Sequence, residues 1–545
     1  MTVDLNLSKL ISLITSKGFQ IHPDALVLIE NIEQNVIYII EEILEEKRRK
    51  NESNIIGSDD IRKALKHSHH PDIGKKYSQN DNTMNDIVSS FDVGINITKN
   101  TKKSALELVT NTKNNYYEYS PSNNIIYDVN NNVNSGEGVD GYTSLFRSRF
   151  EKSLKILSNR PDSKRIKKIG NIKQLFNQIR ITSNPDLNSK EKIEETLFVA
   201  GLVMEKKLKK NSYNITIDDQ TGLLEVSAYK EDLKKQISLL TLDQMIMIEL
   251  ENNTKRRNCV MKNLYSLDVP DRIPNRSNSD SYAVLISDLH IGSKFFLENE
   301  FQMFLSWLNS NKEPDGIASK IKYVCICGDL IDGIGIFPHQ DKELLEKDSY
   351  SQMEHATNLL SKIPKHMKVF LIPGNHDLGR RALPQPAIPK KYANKIYSFS
   401  NIRMLGNPCM INMDGVKTLM FHGQSLDDTI ATIPGLSYSK PAEAMKILLK
   451  SRHLSPIYGQ RTPIAPEIED MMVIEEVPDI FHSGHVHVID VDSYKGTLIV
   501  NSGAWQTQTP FQRAMGITPT PGIAIVINLA TLKPYQISFM DNYSM

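Results

Sequence analysis

Ala283-Val284-Leu285-Ile286-Ser287-Asp288-Leu289-His290 is an apolar run that ends in an acid and a histidine one residue apart. It reads as a strand buried on both faces, the kind found in sheets covered on both sides. In an extended segment the one-residue gap turns Asp288 and His290 to the same side, as two ligands of one ion require. Four runs downstream repeat the arrangement. Ile321 to Ile326 runs into Gly328-Asp329-Leu330-Ile331-Asp332, and Val369-Phe370-Leu371-Ile372 into Pro373-Gly374-Asn375-His376-Asp377. Thr418-Leu419-Met420-Phe421 ends in His422-Gly423, and Asp479-Ile480-Phe481-His482-Ser483 leads to Gly484-His485-Val486-His487. Each motif alone is weak, since a histidine after a strand is more often a hydrogen-bonded core residue than a ligand. Five in order, most with a glycine that lets the backbone turn sharply, leave chance as a poor explanation.

Working outward, these buried strands alternate with helical stretches, so residues 281–545 read as an α/β sandwich domain. Residues 268–280, rich in Pro, Asn and Ser, read as a linker. Ahead of it, residues 141–267 read as a helix followed by a small barrel. Leu145, Phe146, Phe150 and Leu154 have helical spacing, and short β-type runs follow at Phe198–Val203, Tyr213–Ile217, Leu223–Ala228, Met245–Leu250 and Cys259–Met261. An OB-fold is the natural candidate for strands at that spacing. Lys206, Lys207, Lys209 and Lys210 could contact phosphates, but a lysine run on a hairpin is usually a solvated edge. Stacking aromatics are sparse there, with Tyr213 and Tyr229 alone between Gly201 and Met261, so single-strand binding by the barrel is the lesser reading. Residues 71–140 are Asn-rich and poor in apolar periodicity, which predicts a disordered linker. Residues 1–70 predict a small helical docking domain: Ser8 caps one helix, a longer one runs from about Pro23 to Arg49, and Ser58 caps a third.

The whole chain has 545 residues, enough for several domains, and 65 basic against 64 acidic residues. That balance provides no global field for a polyanion, so any nucleic-acid contact has to come from local patches. The cysteines, Cys259, Cys325, Cys327 and Cys409, lack paired CxxC spacing, and Cys325 and Cys327 fall on one face of a strand as buried thiols. With a polar N-terminus and no apolar stretch of about 18 residues, the expectation is a soluble cytoplasmic protein with no membrane contact.

The ordered set D-x-H, G-D-x-x-D, G-N-H-D, H and G-H-x-H resembles the calcineurin-like metallophosphoesterase superfamily. The resemblance implies a multidomain α/β chain: a phosphoesterase β-sandwich flanked by helices, preceded by an OB-fold β-barrel and a small N-terminal helical domain. It implies two divalent transition metal ions, one held by Asp288, His290, Asp329 and His487, the other by Asp329, Asn375, His422 and His485. Asp329 is then the bridge. Mixed nitrogen and oxygen ligation suits Mn, foremost, or Fe, Zn or Ni. His376 follows a ligand without being one in the family, which makes it the general acid for the leaving oxygen, and Asp332 would orient its imidazole. Gly333 stands where the superfamily's protein phosphatases carry arginine, which argues against a phosphoprotein substrate.

Segments without a metal-binding role narrow the resemblance. Pro384-Gln385-Pro386-Ala387, Arg452-His453-Leu454-Ser455-Pro456-Ile457-Tyr458-Gly459, Arg461-Thr462-Pro463-Ile464-Ala465-Pro466-Glu467, Val477 to His487 and Asn501-Ser502-Gly503-Ala504-Trp505-Gln506 are similar to the small subunit of archaeal family-D DNA polymerase. That family implies a metal-dependent 3′-to-5′ exonuclease that proofreads for a separate large polymerase subunit, in a heterodimer or larger assembly, with a DNA 3′ end as substrate. Arg380 and Arg381 are candidate phosphate clamps, and equally plain surface charges. His453 is a candidate substrate-facing residue, one supporting a ligand, or a replacement for His422; the strand-then-His-Gly context favours His422. Two rivals remain: a non-catalytic scaffold like the eukaryotic polymerase B-subunits, and a stand-alone repair nuclease or small-molecule phosphodiesterase.

Overall fold

The computed structural model describes residues 124–174, 197–251, 259–310 and 316–540, with scattered positions between 14 and 64. The chain falls into two units, 1–118 and 119–545. In the first, β1 (Gln20–Ile21) and β2 (Ile55–Ile56) pair in parallel. Ile14, Ile40, Ile43, Leu44, Ile56, Ile61 and Ala64 are buried, and Lys47 pairs with Asp60 at 3.0 Å. Most of the helical runs expected at 1–70, and the Asn-rich stretch as far as 123, lie outside the described residues.

The second unit begins inside the segment expected to be a linker. Ile125–Asp128 forms β3, and a helix spans Gly138–Leu157, so the expectation of disorder to residue 140 is corrected at this end. The apolar run Ile125-Ile126-Tyr127 is too short to signal a strand by itself. It is ordered from outside: β3 adds to an edge strand, Asp128 Oδ1 accepts from Gly406 N–H (2.8 Å), and Asn130 Oδ1 from Ala387 N–H (3.0 Å).

Strands β4 (Leu197–Leu208), β5 (Tyr213–Asp218), β6 (Leu223–Ala228), β7 (Met245–Leu250) and β8 (Cys259–Ser266) close a five-stranded barrel in the order β4-β5-β6-β8-β7. Alternation sorts their side chains. Val199, Val203, Ile215, Ile217, Val226, Ile246 and Ile248 fill the interior, while Phe198, Ala200, Leu202, Met245 and Met247 face outward against Leu157 of the Gly138–Leu157 helix.

The rest of the unit is built on β9 (Tyr282–Ile286), β10 (Ile321–Cys327), β11 (Lys368–Ile372), β12 (Ile402–Met404), β13 (Cys409–Met413), β14 (Val416–Met420), β15 (Ile480–Ser483), β16 (Asp490–Tyr494), β17 (Thr497–Asn501), β18 (Ile523–Asn528) and β19 (Lys533–Ser538). They form two six-stranded mixed sheets, β12-β11-β10-β9-β18-β19 and β16-β17-β15-β14-β13-β3. The sheets share one apolar layer: Ala283, Leu285, Cys325, Cys327, Phe370 and Ile372 from the first meet Cys409, Ile411, Met413, Met420, Ile480 and Val500 from the second. Odd-numbered positions of β9 face this layer, while Val284 and Ile286 face a second layer with helices Glu298–Leu308, Ser349–Leu360 and Lys390–Tyr397. Helices Leu426–Thr432 and Pro441–Ser451 cover the other sheet's outer face. Strands buried on both sides explain the continuous apolar runs. Residues 268–280 are pinned rather than loose: Arg272 Nη1 pairs with Asp479 at 2.7 Å, and Asn275 N–H donates to the same carboxylate at 2.9 Å. Among the described residues no helix is long and apolar enough to cross a membrane.

Candidate metal centre

β9, β10 and β11 run parallel, as do β14 and β15, so their C-terminal ends open together, the place where α/β sheets bind ligands. Each end must turn at once, and the backbone shows it. Asp288, His290, Asp329, His485 and His487 all adopt left-handed φ of 51° to 69°. Such conformations cost about 1–3 kcal/mol each for residues with a Cβ and persist only where the surroundings enforce them. Two glycines make the convergence possible: a Cβ on Gly374 would overlap the Asp329 carboxylate, and one on Gly484 the Asp288 carboxylate.

The side chains gather in two adjoining groups. In the first, His290 Nε2 and His487 Nε2 lie 3.0 Å apart, with Asp288 Oδ1 at 3.9 and 3.4 Å from them. In the second, His422 Nε2 lies 3.4 Å from Asp329 Oδ2 and 3.0 Å from Asn375 Oδ1, and His485 can join His422 and Asp329 around a common point. Asp329 Oδ2 is also 3.7 Å from His290 Nε2, so this carboxylate stands between the groups. Asp288 and Asp329 are buried, and among the described residues neither pairs with Lys or Arg.

That excess of buried negative charge sets the protonation pattern. Burial opposes the charged form of His290, yet Asp332, Asp329 and Asp288 prevail and push it up to about 9; His422 rises to about 10 against burial, chiefly through Asp329. Burial would raise the Asp288 carboxyl, but His487 and His422 bring it down to about 2. Burial and the adjacent Asp329 lift Asp377 to about 7. His290 and His422 are thus the histidines that carry compensating charge against these carboxylates.

The groups behind these side chains were not legible in the motifs. His485 Nε2 sits 3.2 Å from Asp427 Oδ2, which leaves its buried Nδ1 without a hydrogen-bond partner. Gln512 Nε2 is 2.7 Å from His487 Nδ1, and His422 Nδ1 is 2.8 Å from the Cys327 carbonyl. Asp377 accepts from the N–H groups of Gly374, Leu330 and Ile331 at 2.9 to 3.2 Å, tying the Asp329 loop to the Asn375 loop. No residue-type signal marks Asp427 or Gln512; only Asp377, inside the Asn-His-Asp motif, stood in a stretch already singled out.

Three expectations change. Asp332 does position His376, but through its main-chain carbonyl, 2.8 Å from His376 Nδ1; its carboxylate goes instead to His290 Nδ1 (3.1 Å) and to Gln340 Nε2 (2.9 Å). His453 is buried in a separate network, with Nε2 3.0 Å from Asp470 Oδ2 and Nδ1 accepting from Ser455 N–H at 3.0 Å. It neither replaces His422 nor faces a substrate. Arg380 is engaged by the fully buried Glu467 at 2.6 Å, and so is a structural partner; Arg381 is exposed, and its carbonyl accepts from Gln424 Nε2 at 3.1 Å.

His290 and His487 of the first group and Asp329, Asn375 and His485 of the second line a cavity of about 260 Å³, with His376 beside them. Arg461 and Tyr438 stand near Asp427, and Ile336, Phe337, Phe511 and Met515 line its apolar part.

Residues 283–487 of this sandwich match the family of B subunits of DNA polymerases alpha and epsilon. The relatives that align over about three quarters of the chain are more particular. The DNA polymerase II small subunit of Pyrococcus furiosus is 38% identical over 440 residues, 78% of this chain and 69% of the relative. That of Methanothermobacter thermautotrophicus is 38% identical over 420 residues, 76% and 83% of the two chains. The chain belongs to the family of archaeal DNA polymerase II small subunits. Among solved structures, an archaeal phosphodiesterase aligns with 47% of this chain and 98% of its own at 14% identity (TM-score 0.24), and zinc-bound Vps29 from Entamoeba histolytica with 48% and 99% at 15% identity (TM-score 0.24).

Proposed function

We propose that this chain is the metal-dependent 3′-to-5′ exonuclease subunit of a two-subunit DNA polymerase, hydrolysing DNA phosphodiester bonds at a site that takes two divalent cations. The observation that carries the reading is the convergence of Asp288, His290, His487 and of Asp329, His422, His485 on two adjoining points. The donor set fits the cations. His485, fixed by Asp427, presents an unpartnered buried Nδ1, and among the described residues the buried Asp288 and Asp329 carboxylates pair with no Lys or Arg. One ion would be held by Asp288, His290, Asp329 and His487, the other by Asp329, Asn375, His422 and His485, with Mn foremost and Fe, Zn or Ni as alternatives. Bound there, such ions supply charge to the phosphate oxygens and acidify water.

The chain's own groups do the rest. His376 Nδ1 is anchored on the Asp332 carbonyl, which leaves Nε2 to give a proton to the leaving 3′ oxygen. Its backbone N–H donates to Asp329 Oδ1 at 2.8 Å, so the acid and the carboxylate shared by both groups move as one piece. Because Nδ1 donates to a carbonyl, Nε2 bears a proton only in the imidazolium; burial holds His376 below the usual imidazole range, so that form is the scarcer one but the stronger acid. Asp332, Asp427 and Gln512 orient His290, His485 and His487.

The five-stranded barrel has the strand order of an OB-fold, and we read it so, with residues 1–70 as a docking module for the large polymerase subunit. A non-catalytic scaffold is the second reading, favoured by the match to the B-subunit family. The test offers the purified chain, with Mn²⁺, 3′-mismatched primer-template, single-stranded DNA and p-nitrophenyl phosphodiesters. Degradation from the 3′ end that His376→Ala abolishes supports the nuclease; no degradation, alone or with the large subunit, supports the scaffold.

A further inference from the structure

The polar floor of the cavity accounts for a phosphate, but not for the cavity's other side. Among the described residues Arg461 is the cavity's one Lys or Arg, whereas Phe337 and Phe511 both line it. Phe511 is 60% exposed and belongs to none of the buried apolar clusters of the described residues, so its ring is open to the cavity it lines. Its helix, Pro510–Ala514, opens with a capping box between Thr509 and Gln512, and the same Gln512 reaches His487 Nδ1 at 2.7 Å. The ring is thus carried on a short rigid element bolted directly to a group at the metal centre. Phe337 comes from a different segment, the loop after Asp332, with its ring centroid 6.4 Å from that of His376.

Resting on the nuclease reading, we propose that Phe511 and Phe337 are the platform that receives the nucleobase of the 3′-terminal nucleotide by stacking. Such contacts accept any base, because every base offers a π face. They also require that base to be out of a duplex, so the site takes frayed, mismatched or single-stranded 3′ ends, and a paired terminus has first to unstack. Selectivity for mismatches then follows from the cost of opening the end rather than from reading the base.

The probe is an oligonucleotide with 2-aminopurine at its 3′ terminus, titrated with the full-length chain carrying His376→Ala, in Mn²⁺, so that binding is read without cleavage. Stacking should quench the fluorophore. Phe511→Ala should relieve the quenching and weaken binding about tenfold, Phe511→Trp should preserve both, and Phe337→Ala should act in the same direction as Phe511→Ala. Against an oligonucleotide whose 3′-terminal residue is abasic, Phe511→Ala should change nothing. Equal weakening of normal and abasic ends, or none of either, overturns the platform and leaves the nuclease reading standing. Failure of the His376→Ala chain to bind any oligonucleotide, alone and with the large subunit, overturns both. Because Phe511 is exposed, its truncation leaves the core intact, and an unchanged melting temperature verifies it.

Discussion

Two buried clusters of charge sit in this molecule, and both contain histidine and aspartate. At the joint between the barrel and the sandwich, Arg149 Nε donates to Asp470 Oδ2 at 2.7 Å, and Arg149 Nη1 donates to the carbonyls of Pro456 (2.6 Å) and Asp243 (3.2 Å). Asp470 also meets His453, whose Nδ1 accepts a backbone N–H and whose Nε2 therefore carries the proton. One cation, one anion and one neutral ring close the balance, and burial with Arg149 nearby holds His453 down at about 4. At the candidate metal centre Asp288 and Asp329 pair with no Lys or Arg among the described residues, and His290 and His422 are pushed up to about 9 and 10. His290 and His422 separate the two clusters: they are raised by buried carboxylates that no Lys or Arg offsets among the described residues, whereas burial and the Arg149 guanidinium depress His453; His487 and His376, where burial prevails, are lowered as well. A composition count of His and Asp could not make that distinction.

The sharpest break would come from His376→Ala, which should lower exonuclease turnover by about 10²–10⁴-fold while leaving the melting temperature close to the parent's, checked by steady-state assay and calorimetry. At the joint the effect should invert. Arg149→Met leaves Asp470 buried without its cation and should cost about 3–5 kcal/mol of stability, read in denaturant melts, with metal affinity unchanged by isothermal titration.

A third contrast is in pH. In the metal-free chain the raised pKa values of His290 and His422 contribute stability present below about pH 6.5 and lost as pH rises through about 9 to 10. Metal has to displace those protons, so its affinity should rise with pH; at a free ion concentration 100-fold above Kd it should add about 2.7 kcal/mol, visible as a melting shift that Asp329→Asn abolishes. The joint runs the other way. His453 has a lowered pKa, so its contribution is intact above about pH 6.5 and falls as pH drops toward 4. Smallest of all, His453→Gln should cost about 1.5 kcal/mol, the worth of a hydrogen bond to a charged group, and flatten that acid limb without touching the metal shift.

What could be read in the sequence was what local geometry enforces. Strands such as Ala283–Ser287 and Val369–Ile372 announce themselves by uninterrupted apolar runs, and the turn after each places Asp288, Asp329, Asn375, His422 and His485 at a strand end whatever the rest of the chain does. The ends of β9, β10 and β11 fall on one edge because those strands are parallel, as do the ends of β14 and β15 in the other sheet; the packing of the two sheets brings both sets together. The barrel strands were legible for the same reason, down to the Asp218–Gly222 turn. Partners across distance were not. Asp332 lies three residues after Asp329 and was expected to spend its carboxylate on His376, yet packing delivers it to His290, 42 positions away. His453 and Arg380 sit beside motif residues in the chain but are drawn into Asp470 and Glu467. β3 exists only because β13 offers an edge. Sequence thus determined which side chains stand at the pole; the tertiary structure decided which of them face one another, since hydrogen bonds between buried groups are settled by how the sheets and helices close around them.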